Sequence, residues 1–110
     1  MSKRYEVVVG GSAAADLDAI VAYVAEHGDA EAALRLVDAL TERIEALEHF
    51  PHRGSEPREL RGANRRGYRQ MVHGQYRIFY LVRDDQVAVT LVADGRRDME
   101  ALLAARLLAA

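Results

Sequence analysis

One stretch, from Gly67 to Ala93, constrains the fold more than any other part of the sequence. Three runs rich in Tyr, Phe, Val and Ile are separated by His73-Gly74-Gln75 and by Asp84-Asp85. Residues of these types favour a half-buried pleated surface, and short breaks containing Gly or Asp between such runs are typical of hairpins. The stretch therefore predicts three consecutive antiparallel strands.

The middle run of this stretch has two different faces, because alternate residues of a strand point to opposite sides. One face carries Tyr76, Ile78, Tyr80 and Val82, and the other carries Arg77, Phe79, Leu81 and Arg83. The first face is typical of a core. The second mixes apolar and cationic side chains, which suits a surface that a partner covers. The alternative is that the last helix of the chain folds over it.

A first strand and two amphipathic helices precede this stretch. Arg4 to Val9 alternates as a strand does. Apolar residues at helical spacing predict helices from Ser12 to His27 and from Asp29 to His49, with Ser12 and Asp29 as N-caps. The short joint between them predicts a helical hairpin. The side chains expected in the core are Leu17, Ile20, Leu40, Ile44, Ile78 and Tyr80.

Residues 51–66 contain two Pro, two Gly and scattered charges, so they predict a loop, with a turn or a short edge strand at Glu59-Leu60-Arg61. After the three strands, Asp98 opens a last short helix. The element order is β-α-α-β-β-β-α, with helices and strands segregated, which is the α+β class. We therefore predict a helical hairpin packed on an antiparallel sheet, in a single domain over residues 1–110.

Composition excludes several kinds of chemistry. The chain has no cysteine, which removes disulfides and thiol catalysis. Its four histidines, His27, His49, His52 and His73, have no recognised metal-ligand spacing, and no phosphate-binding glycine loop is present. We therefore expect neither a metal nor a cofactor. No secretory signal or membrane-spanning run is apparent, so a cytoplasmic protein that does not bind membranes is expected.

The charges are unevenly distributed along the chain, although the net charge is only −2. Residues 1–50 hold four Lys/Arg and ten Asp/Glu, whereas residues 51–110 hold eleven Arg and seven Asp/Glu. This asymmetry suggests that the second half meets an anionic partner. The alternative is that acidic helices and basic loops neutralise each other within one domain.

Four arginines are candidates for an anion-binding or target-binding cluster: Arg66, Arg69, Arg77 and Arg97. Guanidinium groups bind phosphate in a bidentate fork, so a cluster would suit a nucleic-acid backbone or a polyanionic protein surface. Cleavage of RNA would also require a general base and a general acid. The residues available for that role are few: Tyr68, Tyr76 and His73.

An ordered set of short motifs is similar to a known superfamily. The motifs are Ala15-Asp16-Leu17-Asp18-Ala19-Ile20, Ile44-Glu45-Ala46-Leu47 with Phe50-Pro51 and Gly54, Tyr76-Arg77-Ile78-Phe79-Tyr80 with Val82, and Arg96-Arg97-Asp98 before Leu102-Leu103. Over nearly the whole chain they resemble the ParE branch of the RelE/ParE superfamily, the toxin halves of bacterial type II toxin–antitoxin pairs. The resemblance implies a RelE/ParE-like fold.

The two branches of that superfamily act differently. RelE-like members cut messenger RNA on the ribosome with basic residues on two strands, an Arg before the last helix and a Tyr or His near the C-terminus. Arg69, Arg77 and Arg97 match basic positions, but Met71 occupies another, and Leu103 occupies the tyrosine position and cannot transfer protons. ParE-like members inhibit DNA gyrase without an agreed catalytic set. The resemblance thus implies a gyrase inhibitor rather than an enzyme.

Two alternatives stay open: a ribosome-dependent mRNA endoribonuclease with Arg69, Arg77 and Arg97 as its site, and a degenerate toxin that only binds its antitoxin. Both branches are neutralised by an antitoxin whose C-terminal tail folds on binding. The residues predicted to bind that tail are Arg77, Phe79, Leu81 and Arg83. Direct sequence-specific DNA binding by this chain is not expected.

Overall fold

The computed structural model describes residues 3–61 and 66–108. Its strands are β1 (Glu6–Val9), β2 (Tyr68–His73), β3 (Tyr76–Arg83) and β4 (Gln86–Asp94), and its helices are α1 (Gly11–His27), α2 (Ala30–Glu45) and α3 (Met99–Leu103). Single 3₁₀ turns cover Ala46–Glu48 and Arg58–Leu60, and a π-helical turn, Ala104–Leu108, continues α3. Residues 62–65 of the predicted loop and 109–110 of the predicted last helix lie outside the described residues.

The sheet has four strands in the order β1-β4-β3-β2. The three consecutive antiparallel strands are confirmed, and their turns, Gly74-Gln75 and Asp84-Asp85, have two residues each. Gly74 and Asp84 take φ values of 59° and 54°, a left-handed conformation that Gly adopts freely and Asp tolerates. However, β1 pairs with β4 in parallel, so the sheet is mixed rather than wholly antiparallel.

The helices cover both faces of this sheet. The α1–α2 hairpin packs on one face, where Leu40, Ile44 and Leu47 meet Ile78 and Tyr80 of β3. On the other face α3 and its π-helical continuation pack with Leu60 on Phe79 and Leu91; the buried residues that they contribute are Met99, Leu103 and Leu107. The α+β class and the helical hairpin are therefore confirmed. Alternate side chains of β3 lie on opposite faces of the sheet, as predicted.

The helix ends are set partly by the predicted caps. The Asp29 carboxylate accepts a hydrogen bond from the Ala32 N–H at 2.6 Å, and Asp98 accepts one from the Ala101 N–H at 3.1 Å. The predicted cap Ser12 is wrong, because α1 already begins at Gly11 and its extended N-cap residue is Gly10. The α-helical part of α2 ends at Glu45, ahead of the predicted His49, because the chain tightens into a 3₁₀ turn before Pro51.

The predicted core is confirmed for Leu40, Ile44, Ile78 and Tyr80, which are buried. Leu17 and Ile20 are only half-buried, because α1 packs on α2 and β4 and leaves one side of its apolar stripe partly open. The Glu59-Leu60-Arg61 segment forms the end of a 3₁₀ turn and not an edge strand. Within the described residues, no helix combines the length and the apolar character that a bilayer span requires.

Candidate functional site

The four candidate arginines do not form one cluster. Arg69 pairs with Tyr80 in the β2–β3 register and therefore shares its face, on the side of the helical hairpin. There it donates to the Gly54 carbonyl at 2.6 Å and to the His52 carbonyl at 3.2 Å. Arg77 lies on the opposite face with Phe79, and Arg66 is exposed ahead of β2. The turn has two residues rather than the three of the predicted break, and this one-residue change of register puts Arg69 and Arg77 on opposite faces.

The Arg77 guanidinium contacts three other side chains of its own chain. Its two terminal nitrogens donate to the Glu59 carboxylate oxygens at 2.8 and 2.9 Å, and its Nε donates to the Gln70 side-chain oxygen at 2.6 Å. The guanidinium carbon also lies 4.7 Å from the centre of the Phe79 ring, a cation–π distance. The side chain is 13% exposed, so neither a phosphate nor a partner carboxylate can bind bidentately without displacing Glu59.

Glu59 is ionised because Arg77 stabilises its charge. The hydrogen bonds from the Arg77 guanidinium lower the pKa of Glu59 from 4.5 to about 2, although burial of the carboxyl acts in the opposite direction. Its side chain is only 8% exposed, so water contributes little to the charge. The pair is therefore neutral as a whole at physiological pH. Nothing in the sequence pattern indicated this pair, because Glu59 lies in an irregular loop.

A polar cavity of about 400 Å³ brings Arg77 and Arg97 to the same place at the start of α3, together with Arg58 and Glu59. Arg58 and Arg97 are exposed at this cavity. Among the described residues, no carboxylate lies within 4.0 Å of the Arg97 guanidinium, whereas Arg77 is bound by Glu59. The cavity can thus contact an anion through Arg97 at its rim.

The predicted antitoxin-binding strip is only partly covered in this structure. Phe79 is fully buried beneath Met99 and Leu103 of the α3 segment, whereas Leu81 is half-buried and Arg83 is exposed. The strip was predicted to be open because its apolar residues alternate with arginines. The apolar side of α3 also has to be buried, and it packs against this face of the sheet. The last helix thus covers Phe79 but not Arg83, and binding of an antitoxin to these residues stays a prediction.

Leu103, which the resemblance places at the tyrosine position of RelE-like members, is part of the core. Leu103 is 2% exposed and packs in the cluster around Phe79. Of the other proton-transfer candidates, Tyr68 packs at the edge of the same cluster, and His73 and Tyr76 are paired across the hairpin turn. All three are half-buried. Leu103 itself supplies no proton donor.

An ion pair that was not predicted joins elements on the two faces of the sheet. Arg106 donates to both carboxylate oxygens of Asp16 at 3.0 Å, and the two residues are 90 positions apart. Arg106 also donates to the Thr90 carbonyl at 2.9 Å, while Asp16 accepts from the Val92 N–H at 3.0 Å. A signal was present, since Arg106 falls on the apolar side of a helix with Leu103 and Leu107, where a cation requires a partner.

No metal site accompanies these features within residues 3–61 and 66–108, because no three His, Asp or Glu side chains there are grouped closely enough to hold an ion.

Two solved structures share this fold. The chromosomal ParDE toxin–antitoxin system from P. aeruginosa has a TM-score of 0.69 and 20% identity, with 84% of this chain and 98% of that chain covered. The toxin–antitoxin complex RelBE2 from Mycobacterium tuberculosis has a TM-score of 0.59 and 22% identity, with 83% and 98% covered. The fold, with its helical hairpin on one face and α3 on the other, is thus that of the RelE/ParE class.

A family model gives the narrower assignment. The model of the ParE toxin of the type II toxin–antitoxin system parDE matches residues 7–99, from β1 to the start of α3. The chain therefore belongs to the ParE toxin family, as the ordered motifs implied. No protein of curated function matches its sequence significantly.

Proposed function

We propose that this chain is a toxin that inhibits DNA gyrase by binding it, and that a cognate antitoxin neutralises it. Membership of the ParE toxin family supports the toxin role. The two similar structures are of a ParDE toxin–antitoxin system and a RelBE2 toxin–antitoxin complex, which supports an antitoxin partner for this chain as well.

The observation that favours a gyrase-binding toxin over an RNA-cleaving enzyme is the bidentate ion pair between Arg77 and Glu59. A phosphate held by Arg77 would have to replace the Glu59 carboxylate. That replacement would take two hydrogen bonds from a carboxylate that is 8% exposed and leave it only the Arg58 guanidinium at 3.8 Å, which is costly. Arg77, one of the three arginines that match RelE-like basic positions, is therefore not available to substrate.

A second observation supports the same conclusion. A positioned proton-transfer group contributes about 10²–10⁴-fold to a rate, and Leu103 fills the position where RelE-like members keep one. Arg97 remains exposed. Contacts between a cation and phosphate position a substrate rather than activate its 2′-hydroxyl. The remaining arginine thus suits recognition of an acidic surface better than catalysis.

The test compares the two target classes directly. Purified protein is expected to inhibit supercoiling by gyrase in a dose-dependent manner and to leave messenger RNA on programmed ribosomes intact. Arg97→Ala and Arg58→Ala form a matched pair, because both arginines are exposed at the same cavity. Site-specific mRNA cleavage that Arg97→Ala abolishes and Arg58→Ala retains would establish the endoribonuclease instead. Inactivity in both assays would leave a degenerate toxin that only binds its antitoxin.

Neutralisation is tested in the same supercoiling assay. The excess of arginine over acidic residues in positions 51–110 suits an acidic antitoxin tail. Adding the protein encoded by the adjacent upstream reading frame is expected to restore supercoiling, and more effectively at low salt than at high salt. An adjacent protein that neither binds the chain nor restores supercoiling would contradict this part of the proposal.

A further inference from the structure

A cleft of about 520 Å³ lies just after the helical hairpin, where the chain turns toward Pro51. It is lined by His49, Phe50, Pro51, His52 and Arg53. The Phe50 ring is 62% exposed, whereas the other phenylalanine, Phe79, is fully buried. A large aromatic side chain gains from burial, so one that stays in solvent at the wall of a cleft marks a place where a ligand can cover it.

The loop that carries Phe50 is anchored at both ends. The Phe50 N–H donates to the Ala46 carbonyl at 3.1 Å, and the Phe50 carbonyl accepts from the Arg53 N–H at 3.2 Å. Arg69 of β2 donates to the His52 carbonyl at 3.2 Å. The exposure of Phe50 therefore comes from a fixed backbone, and a ligand that binds its ring has little loop ordering to offset.

Other planar side chains extend this surface beyond Phe50. The His49 ring lies edge-on to Phe50 with 6.3 Å between ring centres, and the His52 ring lies edge-on to Tyr5 at 6.1 Å. Both histidines are exposed, and Tyr5 is half-buried. Phe50 is thus one of four neighbouring rings, Tyr5, His49, Phe50 and His52, which we call the aromatic patch.

The charged groups at the aromatic patch are mainly cationic. The Lys3 ammonium lies 5.0 Å from the centre of the Tyr5 ring, and the exposed Arg53 lines the cleft beside Phe50. No carboxylate lies within 4.0 Å of the Arg53 guanidinium among the described residues, and none of those that line the cleft is acidic. Glu48, just ahead of the patch, is paired with Arg4. The patch therefore attracts an anionic ligand.

We infer that the aromatic patch binds single-stranded DNA. One base stacks on the Phe50 ring, and neighbouring phosphates pair with Arg53 and Lys3. Rings that stack on bases, combined with cations that contact the backbone, are the general means by which proteins bind unpaired strands without reading their sequence. An acidic peptide would use the cations, but it would gain no stacking from the planar faces of the rings.

The choice of DNA over RNA rests on the proposed function, because gyrase cuts and rejoins strands of DNA. The location of the site rests on the aromatic patch alone. The patch adjoins Arg69 on the hairpin side of the sheet, whereas Arg97 lies at the cavity on the α3 side. A toxin that contacts gyrase through Arg97 thus keeps a separate surface free for the DNA that the enzyme holds.

The first test follows stacking directly. The chain contains no tryptophan, so Phe50→Trp gives a protein with a single indole at the patch. Adding a short oligothymidylate is expected to quench its fluorescence, because a base stacks on the indole, and the titration gives the Kd. A strand of the same length without bases is expected to cause no quenching. Equal quenching by both strands would contradict stacking.

The second test separates stacking from simple apolar contact. Phe50→Leu keeps an apolar side chain without a planar face, and it is expected to weaken binding of labelled oligothymidylate about 5- to 150-fold, as loss of one stacked base would. Phe50→Trp should bind at least as tightly as wild type. Leu34→Ala is the control, since Leu34 is 61% exposed on α2 outside the cleft. Full affinity in Phe50→Leu would indicate a site for any apolar group and overturn the inference.

The third test removes a cation. Arg53→Gln is expected to weaken binding and to reduce the slope of log Kd against log salt concentration by about 0.7, the contribution of one phosphate of a single strand. Arg35→Gln is the control, since Arg35 is 71% exposed on α2. It should leave both quantities unchanged. Circular dichroism checks that each variant is folded, and an unchanged slope in a folded Arg53→Gln would contradict the role of Arg53.

The class of ligand is decided with the wild-type chain. A duplex is expected to bind more weakly than oligothymidylate because its bases are already stacked, and oligouridylate more weakly because uracil lacks the methyl group of thymine. Equal or tighter binding of oligouridylate would overturn the assignment to DNA. A chain that inhibits gyrase without binding oligothymidylate would overturn this inference and leave the proposed function standing. A chain that binds oligothymidylate without inhibiting gyrase would support the patch and overturn the proposed function.

Discussion

The Glu59–Arg77 pair allows the effect of a single substitution to be worked out from the structure. Both side chains are largely buried, at 8% and 13% exposure, and they share two hydrogen bonds of 2.8 and 2.9 Å. Arg77 lowers the pKa of Glu59 from 4.5 to about 2. A carboxyl group whose pKa falls this far on folding contributes about 3 kcal/mol of stability at neutral pH.

Glu59→Gln keeps the size of the side chain and removes its charge. At pH 7 we expect the free energy of unfolding to fall by about 2–4 kcal/mol, since Arg77 is left largely buried without its carboxylate. Because the folded pKa of Glu59 is depressed, the contribution is fully present above its unfolded value of 4.5 and is lost as the pH falls toward about 2. The curves of stability against pH for wild type and for Glu59→Gln should therefore converge at acid pH.

Urea unfolding, followed by circular dichroism at several pH values between 7 and 2, measures both effects. Asp94, whose pKa is also lowered to about 2 by hydrogen bonds from Arg96, titrates in both proteins, so only the difference between the curves reports on Glu59. Glu56→Gln is the control, because Glu56 is an exposed residue of the same loop, and it should change stability by less than about 0.5 kcal/mol. Parallel curves for wild type and Glu59→Gln would refute the argument.

Two further predictions concern packing at Leu40 and at Gly54. Leu40→Ala removes a fully buried side chain between the hairpin and the sheet and should cost about 2–5 kcal/mol in urea unfolding; a change below about 0.5 kcal/mol would mean that the hairpin packs through another face. Gly54→Ala should cost about 1–3 kcal/mol, because the new Cβ would clash with the Gln70 carbonyl oxygen and lie 2.6 Å from the Tyr80 hydroxyl oxygen. Gly11→Ala is its control, since no atom lies within 4 Å of a Cβ there, and equal losses in both would contradict the steric explanation.

The parts of the fold that local chemistry determines were predictable from the sequence. Alternation along Tyr76–Arg83 identified both faces of β3, and the breaks at His73-Gly74-Gln75 and Asp84-Asp85 identified the hairpins, the first of which is one residue shorter in the structure. Asp29 was recognisable as a cap because a short acceptor preceded a helical stripe. Each of these signals lies within a few residues of the feature that it determines.

The parts that depend on distant residues were not predictable in this way. The parallel pairing of β1 with β4 joins segments about eighty residues apart, and a four-residue strand does not indicate its partner. The Glu59–Arg77 pair depends on where an irregular loop returns to the sheet. The burial of Phe79 depends on whether α3 or a partner packs on this face of β3. The apolar side chains of that face suit either one.

The cost of uncovering that strip bears on where a partner binds first. A tail that reached Phe79 would have to expose Met99, Leu103 and Leu107, at about 1.5–3 kcal/mol for each buried side chain. It would also separate Arg106 from Asp16 and return the Thr90 carbonyl to solvent. Binding at Arg97 requires none of these losses, because its side chain is already exposed. A partner that uncovers Phe79 therefore has to offset these losses with contacts of its own, whereas a partner that binds at Arg97 does not.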